Sequence, residues 1–172
     1  MKVEYINPFL TATVTAFQAM LGWKLQRGKP FVKKGYQPEH EISGVIGLSG
    51  RARGVVVLSL SRSVALAVTG ALLPDQPPAE INAQVTDAIG EMANIIAGGA
   101  KARLEKLHLS VSLPTVVSGK CHCIDFPSRV PPICIPFETP FGPMSVQVGL
   151  VETDTCTDQR TADAPAEART TG

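Results

Sequence analysis

A chain of 172 residues, 44% of them hydrophobic, is long enough to bury one core of ordinary size and reads as one folded domain. Its 16 basic and 15 acidic residues leave a net charge of +1, which gives no basis for binding nucleic acid or an acidic membrane surface. No apolar run reaches the ~18 residues of a membrane span, and no basic stretch followed by an apolar one opens the chain, so neither a transmembrane helix nor a signal peptide is expected and the cytoplasm is the expected compartment.

In chain order, the first predicted element is a helix in INPFLTATVTAFQAMLG. Asn7 suits the N-cap and Pro8 the first helical position, while Phe9, Ala12, Val14, Phe17, Met20 and Leu21 recur near helical spacing and Gly22 stops the run. Residues 23–41 are mixed, with room for one short strand around 30–34, and the basic group Lys29, Lys33 and Lys34 reads as a solvated loop. ISGVIGLSG and RGVVVLSLS then form a hairpin pattern, with Gly50 to Arg53 as a turn slightly longer than two residues. In the second strand Val55, Val57 and Ser59 face one way and Val56, Leu58 and Leu60 the other, so at least one face is apolar.

Ser61 or Ser63 caps a short helix, VALAVTGALL, that Pro74 ends. A long helix is predicted from residue 79 to about residue 108. Four β-like segments follow, SLPTVVSG, KCHCIDF, PPICIPFET and PMSVQVGLVE; Pro131, Pro132 and Pro136 mark the third as irregular or an edge. From residue 153 to 172 almost nothing apolar remains beyond alanine and one cysteine, and a disordered tail is expected. Residues 1–152 are expected to form a single α+β domain, an antiparallel sheet with helices packed on one face.

Four cysteines in a chain of this length are not a disulfide framework. Cys121, His122 and Cys123 could be drawn with Cys134 as a zinc site, but C-x-C spacing on a strand puts the thiols on one face and the imidazole on the other, so free thiols are expected. His40, His108 and His122 are isolated and read as structural or surface residues, and Ser118 and Ser128 have no evident base partner. Neither a phosphate-cradling glycine loop with Lys-Ser/Thr nor a G-x-S-x-G elbow is present.

The long helix carries the informative pattern. With Val85 at zero and about 100° per residue, Ile81, Ala88, Ile89, Met92, Ile96 and Leu107 gather within about 60° as the buried stripe. Asp87, Glu91, Asn94, Gly98 and Glu105 form a column about 180° to 240° away. Stability alone would place lysine and glutamate there. Gly90 and Gly98 each cost about 1 kcal/mol relative to alanine in a helix interior, and Asn94 is a weak helix former. Two explanations fit: a solvated face or a close helix crossing at Gly98–Gly99, or small residues that let another backbone approach while Glu91 and Asn94 project into it.

At these residues the sequence resembles the CheC/CheX/FliY family of bacterial chemotaxis phosphatases, most closely its single-site CheX type. The family's motif stands here as Asp87-x-x-x-Glu91-x-x-Asn94, with small residues at Gly98 and Gly99, and the flanking elements match over roughly residues 1–152. Glu4-x-x-Asn7 repeats part of the spacing by chance, so one site is assigned.

The resemblance implies a hydrolase that cleaves the aspartyl phosphate of a CheY-like response regulator. It implies that the Asn94 amide orients the attacking water and that Glu91 pairs with the regulator's active-site lysine. Asp87 would support docking, and Gly90 and Gly98 would leave room for the regulator's loops. No cofactor is expected on this chain, since Mg²⁺ comes with the regulator. A homodimer formed through sheet edges is implied by the same analogy. A non-catalytic receiver-domain docking module, or a flagellar-switch-type interaction module, is the competing reading; a small-molecule sensor would need an apolar pocket with convergent polar groups, which the sequence does not show.

Overall fold

The structure, a computed structural model, describes residues 3–35, 37, 39–119, 122–126 and 131–153. Its helices are α1 (Ile6–Leu21), α2 (Arg62–Leu72) and α3 (Ala83–Arg103). Its strands are β1 (Gln26–Arg27), β2 (Phe31–Val32), β3 (Ile42–Ser49), β4 (Ala52–Leu60), β5 (Ser110–Val111), β6 (Thr115–Ser118), β7 (Ile133–Thr139) and β8 (Gly142–Glu152). All pairings are antiparallel, in the order β1-β7-β8-β4-β3-β5, with β2 also on β7 and β6 also on β3. The expected α+β architecture is therefore present.

The central strand β4 explains the layering. Val56, Leu58 and Leu60 align with Val148, Val146 and Met144 of β8 and enter the main core beneath the helices. Val55 and Val57 emerge on the opposite face, where Ile124 and Phe126 cover them. Both faces of the central strand are apolar because both are covered, the first by helices and the second by an irregular segment. KCHCIDF is thus not a strand over its described residues 122–126. His122 instead ties that segment to the sheet: Nδ1–H donates to the Gly119 carbonyl, and Nε2 is hydrogen-bonded with the Ser43 hydroxyl, each at 2.9 Å. Cys121 lies outside the described residues, Cys134 is buried in β7, and among the described residues no group of His, Cys, Asp and Glu is placed to hold a metal.

Several boundaries differ from the sequence expectation for physical reasons. The hairpin turn is only Gly50–Arg51, because Ala52 and Arg53 already pair with Glu152 and Val151 of β8. Gly50 has φ +147°, and a Cβ there would stand 2.4 Å from the His108 carbonyl oxygen. Helix α1 starts one residue before Asn7, after a 3-10 turn over Val3–Tyr5, so Asn7 is not its cap. Pro8 becomes the third helical residue, still among the first four whose N–H groups lack intrahelical partners. The buried face of α1 runs through Phe9, Ala12, Thr13, Ala16 and Phe17, while Val14 and Met20 are exposed. Gly22 closes the helix in the left-handed conformation, as expected.

Strand β7 is internal rather than an edge, with β8 on one side and β1 and β2 on the other. Pro136 is tolerated because its carbonyl, which accepts from Gly28 N–H at 2.9 Å, and its donorless nitrogen point toward the gap between β1 and β2. Lys33 is not solvated. It is 4% exposed, donating from Nζ to Gln147 Oε1 at 2.9 Å and pairing with Glu39 at 3.2 Å. Of the expected tail only Thr153 is described, bonded to the Gly50–Arg51 turn; residues 154–172 lie outside the described set. No helix among the described residues is long and apolar enough to cross a membrane.

Candidate functional site

Helix α3 is set by its cap and by one close approach. Asn82 Oδ1 accepts from Val85 N–H at 3.1 Å, which starts the helix at Ala83 rather than residue 79. Gly44 of β3 leaves room for Ala93, whose Cβ would stand 3.0 Å from a Cβ at that glycine. That contact brings α3 down onto β3 and fixes its rotation, with Val85, Ile89, Met92, Ala93, Ile96, Ala97 and Ala100 buried. The helix ends at Arg103, so Glu105 and Leu107 belong to a following 3-10 turn and not to the same helical column.

The rotation turns four of the singled-out residues outward. Asp87 and Glu91 are exposed, and Asn94 and Gly98 are half-exposed. No hydrogen bond or ion pair within the described residues engages Asp87, Glu91 or Asn94. Their placement on one helix spaces Asp87 and Asn94 by seven residues, about 10 Å along the axis. Two carboxylates and a free amide on a rigid element can bind a cation, donate to an anion and accept from water at once.

The glycines separate into three roles. A Cβ on Gly98 would meet nothing within 4 Å, so its small size answers no need among the described residues. Gly99 does, because a Cβ there would come within 3.1 Å of Ala12 Cβ at the crossing of α3 and α1. Gly90 departs from its expected place: it is buried, facing Pro114 and Val116, and does not look toward a partner. A Cβ at Gly90 would make ordinary contact with Pro114 at 3.4 Å. Glu4 and Asn7 fall in a 3-10 turn and in the first turn of α1, not mid-helix, so the repeated spacing builds no second site of this kind.

Sequence spacing offered no sign of what lies beside α3. An open depression of about 710 Å³ continues from Gly98 and Lys101 to His108 and Val111. His108 holds a left-handed backbone, φ 44°, at the end of the 3-10 turn. Lys101 belongs to α3 itself, while His108 and Val111 come from the turn and the strand that follow it.

Comparison with known proteins gives one consistent picture. The family described as "Chemotaxis phosphatase CheX" matches residues 42–138. The CheY-P phosphatase CheX of Thermotoga maritima is 30% identical over 122 residues, covering 70% of this chain and 79% of that protein. The crystal structure of a chemotaxis protein CheX from Desulfovibrio desulfuricans superposes with a TM-score of 0.79 at 32% identity, over 87% of this chain and all of that one. A Borrelia burgdorferi CheX solved in complex with CheY, BeF₃ and Mg²⁺ has the same fold, with a TM-score of 0.72 at 23% identity over 88% of this chain and 100% of that one.

Proposed function

The chain belongs to the CheX family of chemotaxis phosphatases, and from that membership we infer that it hydrolyses the aspartyl phosphate of a phosphorylated CheY-like response regulator. The observation that supports placing the reaction on α3 is Asn94, a side-chain amide without a partner among the described residues, with open space at Gly98 one turn further along.

An acyl phosphate is already activated, and its hydrolysis needs an in-line water and stabilised charge on the phosphoryl oxygens. Asn94 supplies orientation: its carbonyl oxygen accepts from the attacking water, and its NH₂ can donate to a phosphoryl oxygen. Being neutral, it is not repelled by the phosphoryl group. Glu91 pairs with the regulator's lysine and fixes register across the interface, and Asp87 supports docking one turn earlier. Gly98 lets the regulator's backbone come close to the helix. This chain is proposed to bind no cofactor of its own, the regulator carrying Mg²⁺. A cytoplasmic setting and a homodimer through sheet edges belong to the same reading; light scattering that gave a monomer at micromolar concentration would remove the dimer.

The deciding experiment follows the decay of a phosphorylated receiver domain with Mg²⁺ and substoichiometric protein. Decay is expected to accelerate with the wild type and to return to the spontaneous rate with Asn94→Ala. That variant should fold normally, because the Asn94 side chain makes no hydrogen bond among the described residues and alanine is the better helix former by up to ~0.7 kcal/mol. Binding without acceleration would instead make the chain a docking module that kept the motif.

A further inference from the structure

Leu113, between β5 and β6, is 87% exposed, far more than the other exposed large apolar residues described, which run from 37% to 55%. An exposed leucine alone signifies little. What distinguishes this one is that its backbone is fixed from both sides. Ser112 N–H donates to the Gly47 carbonyl at 2.9 Å, and Gly47 N–H donates to Ser112 Oγ at 2.9 Å. The same hydroxyl donates to the Leu113 carbonyl at 2.8 Å. Pro114 follows, with its fixed φ, and borders Gly90 of α3. A segment this constrained holds a side chain that is almost wholly exposed among the described residues.

Its position follows from the contacts on either side. Pro114 borders Gly90, and Val111 lines the same depression as Gly98. The chain from Val111 to Pro114 therefore runs along the flank of α3 in the opposite sense. Asn94 lies one turn, about 6 Å, from both glycines. By interpolation between those two contacts, Ser112 and Leu113 lie at about the level of Asn94 along the helix axis.

We propose that Leu113 is the apolar docking residue of this site, seating in an apolar notch beside the phosphorylation pocket of the receiver domain while Asn94 reaches the phosphoryl group. The inference rests on the phosphatase reading above and deepens it. A preordered leucine loses little entropy on binding, and its burial next to the amide expels bulk water from the flank of the reaction. The other exposed apolar residues sit elsewhere: Val14 and Met20 on α1, Phe31 and Val32 on the far edge of the sheet, and Leu73 and Phe141 in the connections after α2 and β7. Docking of this kind places most of its energy in one or two buried anchors.

The test is steady-state dephosphorylation of a phosphorylated receiver domain with Mg²⁺, measuring kcat and KM for the wild type, Leu113→Ala, Leu113→Met and Asn94→Ala. Leu113→Ala should raise KM about 10-fold or more with kcat within about 3-fold, and Leu113→Met should stay near the wild type. Thermal unfolding of both should match the wild type, because the side chain is exposed. An unchanged KM for Leu113→Ala, with the wild type active and Asn94→Ala inactive, overturns the docking role alone. A loss in kcat at unchanged KM also overturns it, in favour of positioning. A wild type that does not accelerate decay removes the phosphatase reading, and this inference with it.

Discussion

Gly99 of α3 and Ala12 of α1 meet at the crossing of the two helices, where a Cβ on the glycine would stand 3.1 Å from the alanine's own. Gly98, its neighbour, would place a Cβ in empty space. Two successive glycines thus answer to different demands, one to the core and one to the surface that carries Glu91 and Asn94. Removing the helix penalty has opposite consequences at the two positions.

Gly98→Ala should raise stability by up to ~1 kcal/mol through helix propensity alone. Gly99→Ala gains the same propensity but forces the helices apart, and a net loss of about 1 kcal/mol is expected. Denaturant titrations of both variants read this difference. If Gly98 exists for a partner's approach, Gly98→Ala should also bind the phosphorylated receiver more weakly than the wild type; full activity in the stabilised variant would leave the glycine without that role.

Glu91→Ala should leave stability within about 0.5 kcal/mol, because the carboxylate is exposed and has no ion-pair partner within the described residues. Its effect is expected on binding, a roughly 10-fold weaker Kd for the receiver, equivalent to ~1.4 kcal/mol. Calorimetry with a receiver held in its phosphorylated state measures this. Equal affinity for the two proteins would exclude the ion pair across the interface.

Lys33 holds a place in the second face of the sheet. Its ammonium group meets Gln147 Oε1, while Gln147 Nε2 is buried with no partner among the described residues. Lys33→Met keeps the aliphatic stem but leaves the Gln147 amide with neither end bonded, and a loss of about 1–3 kcal/mol is expected. Chemical denaturation should find the double variant Lys33→Met, Gln147→Leu more stable than the single one, since no buried amide then remains. A single variant as stable as the wild type would show that the contact contributes nothing.

His40 gives the fold a sensitivity to acid. Burial pushes its pKa below the usual histidine value, against the opposing influence of Glu39 and Glu138, while Lys33 acts in the same direction as burial. In the window between the lowered folded value and the ordinary value of 6.5, the unfolded chain binds a proton that the folded chain does not. Stability from this group is therefore complete above about pH 7 and declines as pH falls through 6.5. Melting temperatures at pH 7.5 and 5.5 should differ more in the wild type than in His40→Gln; equal differences would assign the acid sensitivity to other groups.

Local pattern made much of the architecture legible. The apolar runs of β3, β4 and β8, the left-handed stop at Gly22 and the helical period of α3 are each decided by a few adjacent residues, and all appear in the structure. Boundaries were less legible. The start expected for α3 at residue 79 moves to Ala83, where the Asn82 side chain accepts from the backbone three residues on, and the β3–β4 turn is shortened by pairing with β8, about a hundred residues away. Lys33 reads as solvated until the sheet brings Gln147 and Glu39 to it.

The candidate site divides in the same way. Asp87, Glu91, Asn94 and Gly98 share one helix face by their spacing alone, because the α-helical repeat relates residues three and four apart whatever surrounds them. Which side of that face is free was settled by tertiary structure, through the seating of Ala93 against Gly44. Tertiary structure also assigned Gly99 to the crossing with α1, turned Gly90 inward against Pro114, and brought Val111 beside the same depression as Gly98. No period along one segment can contain those relations, since each depends on two stretches of chain that only the packed sheet and helices bring into contact.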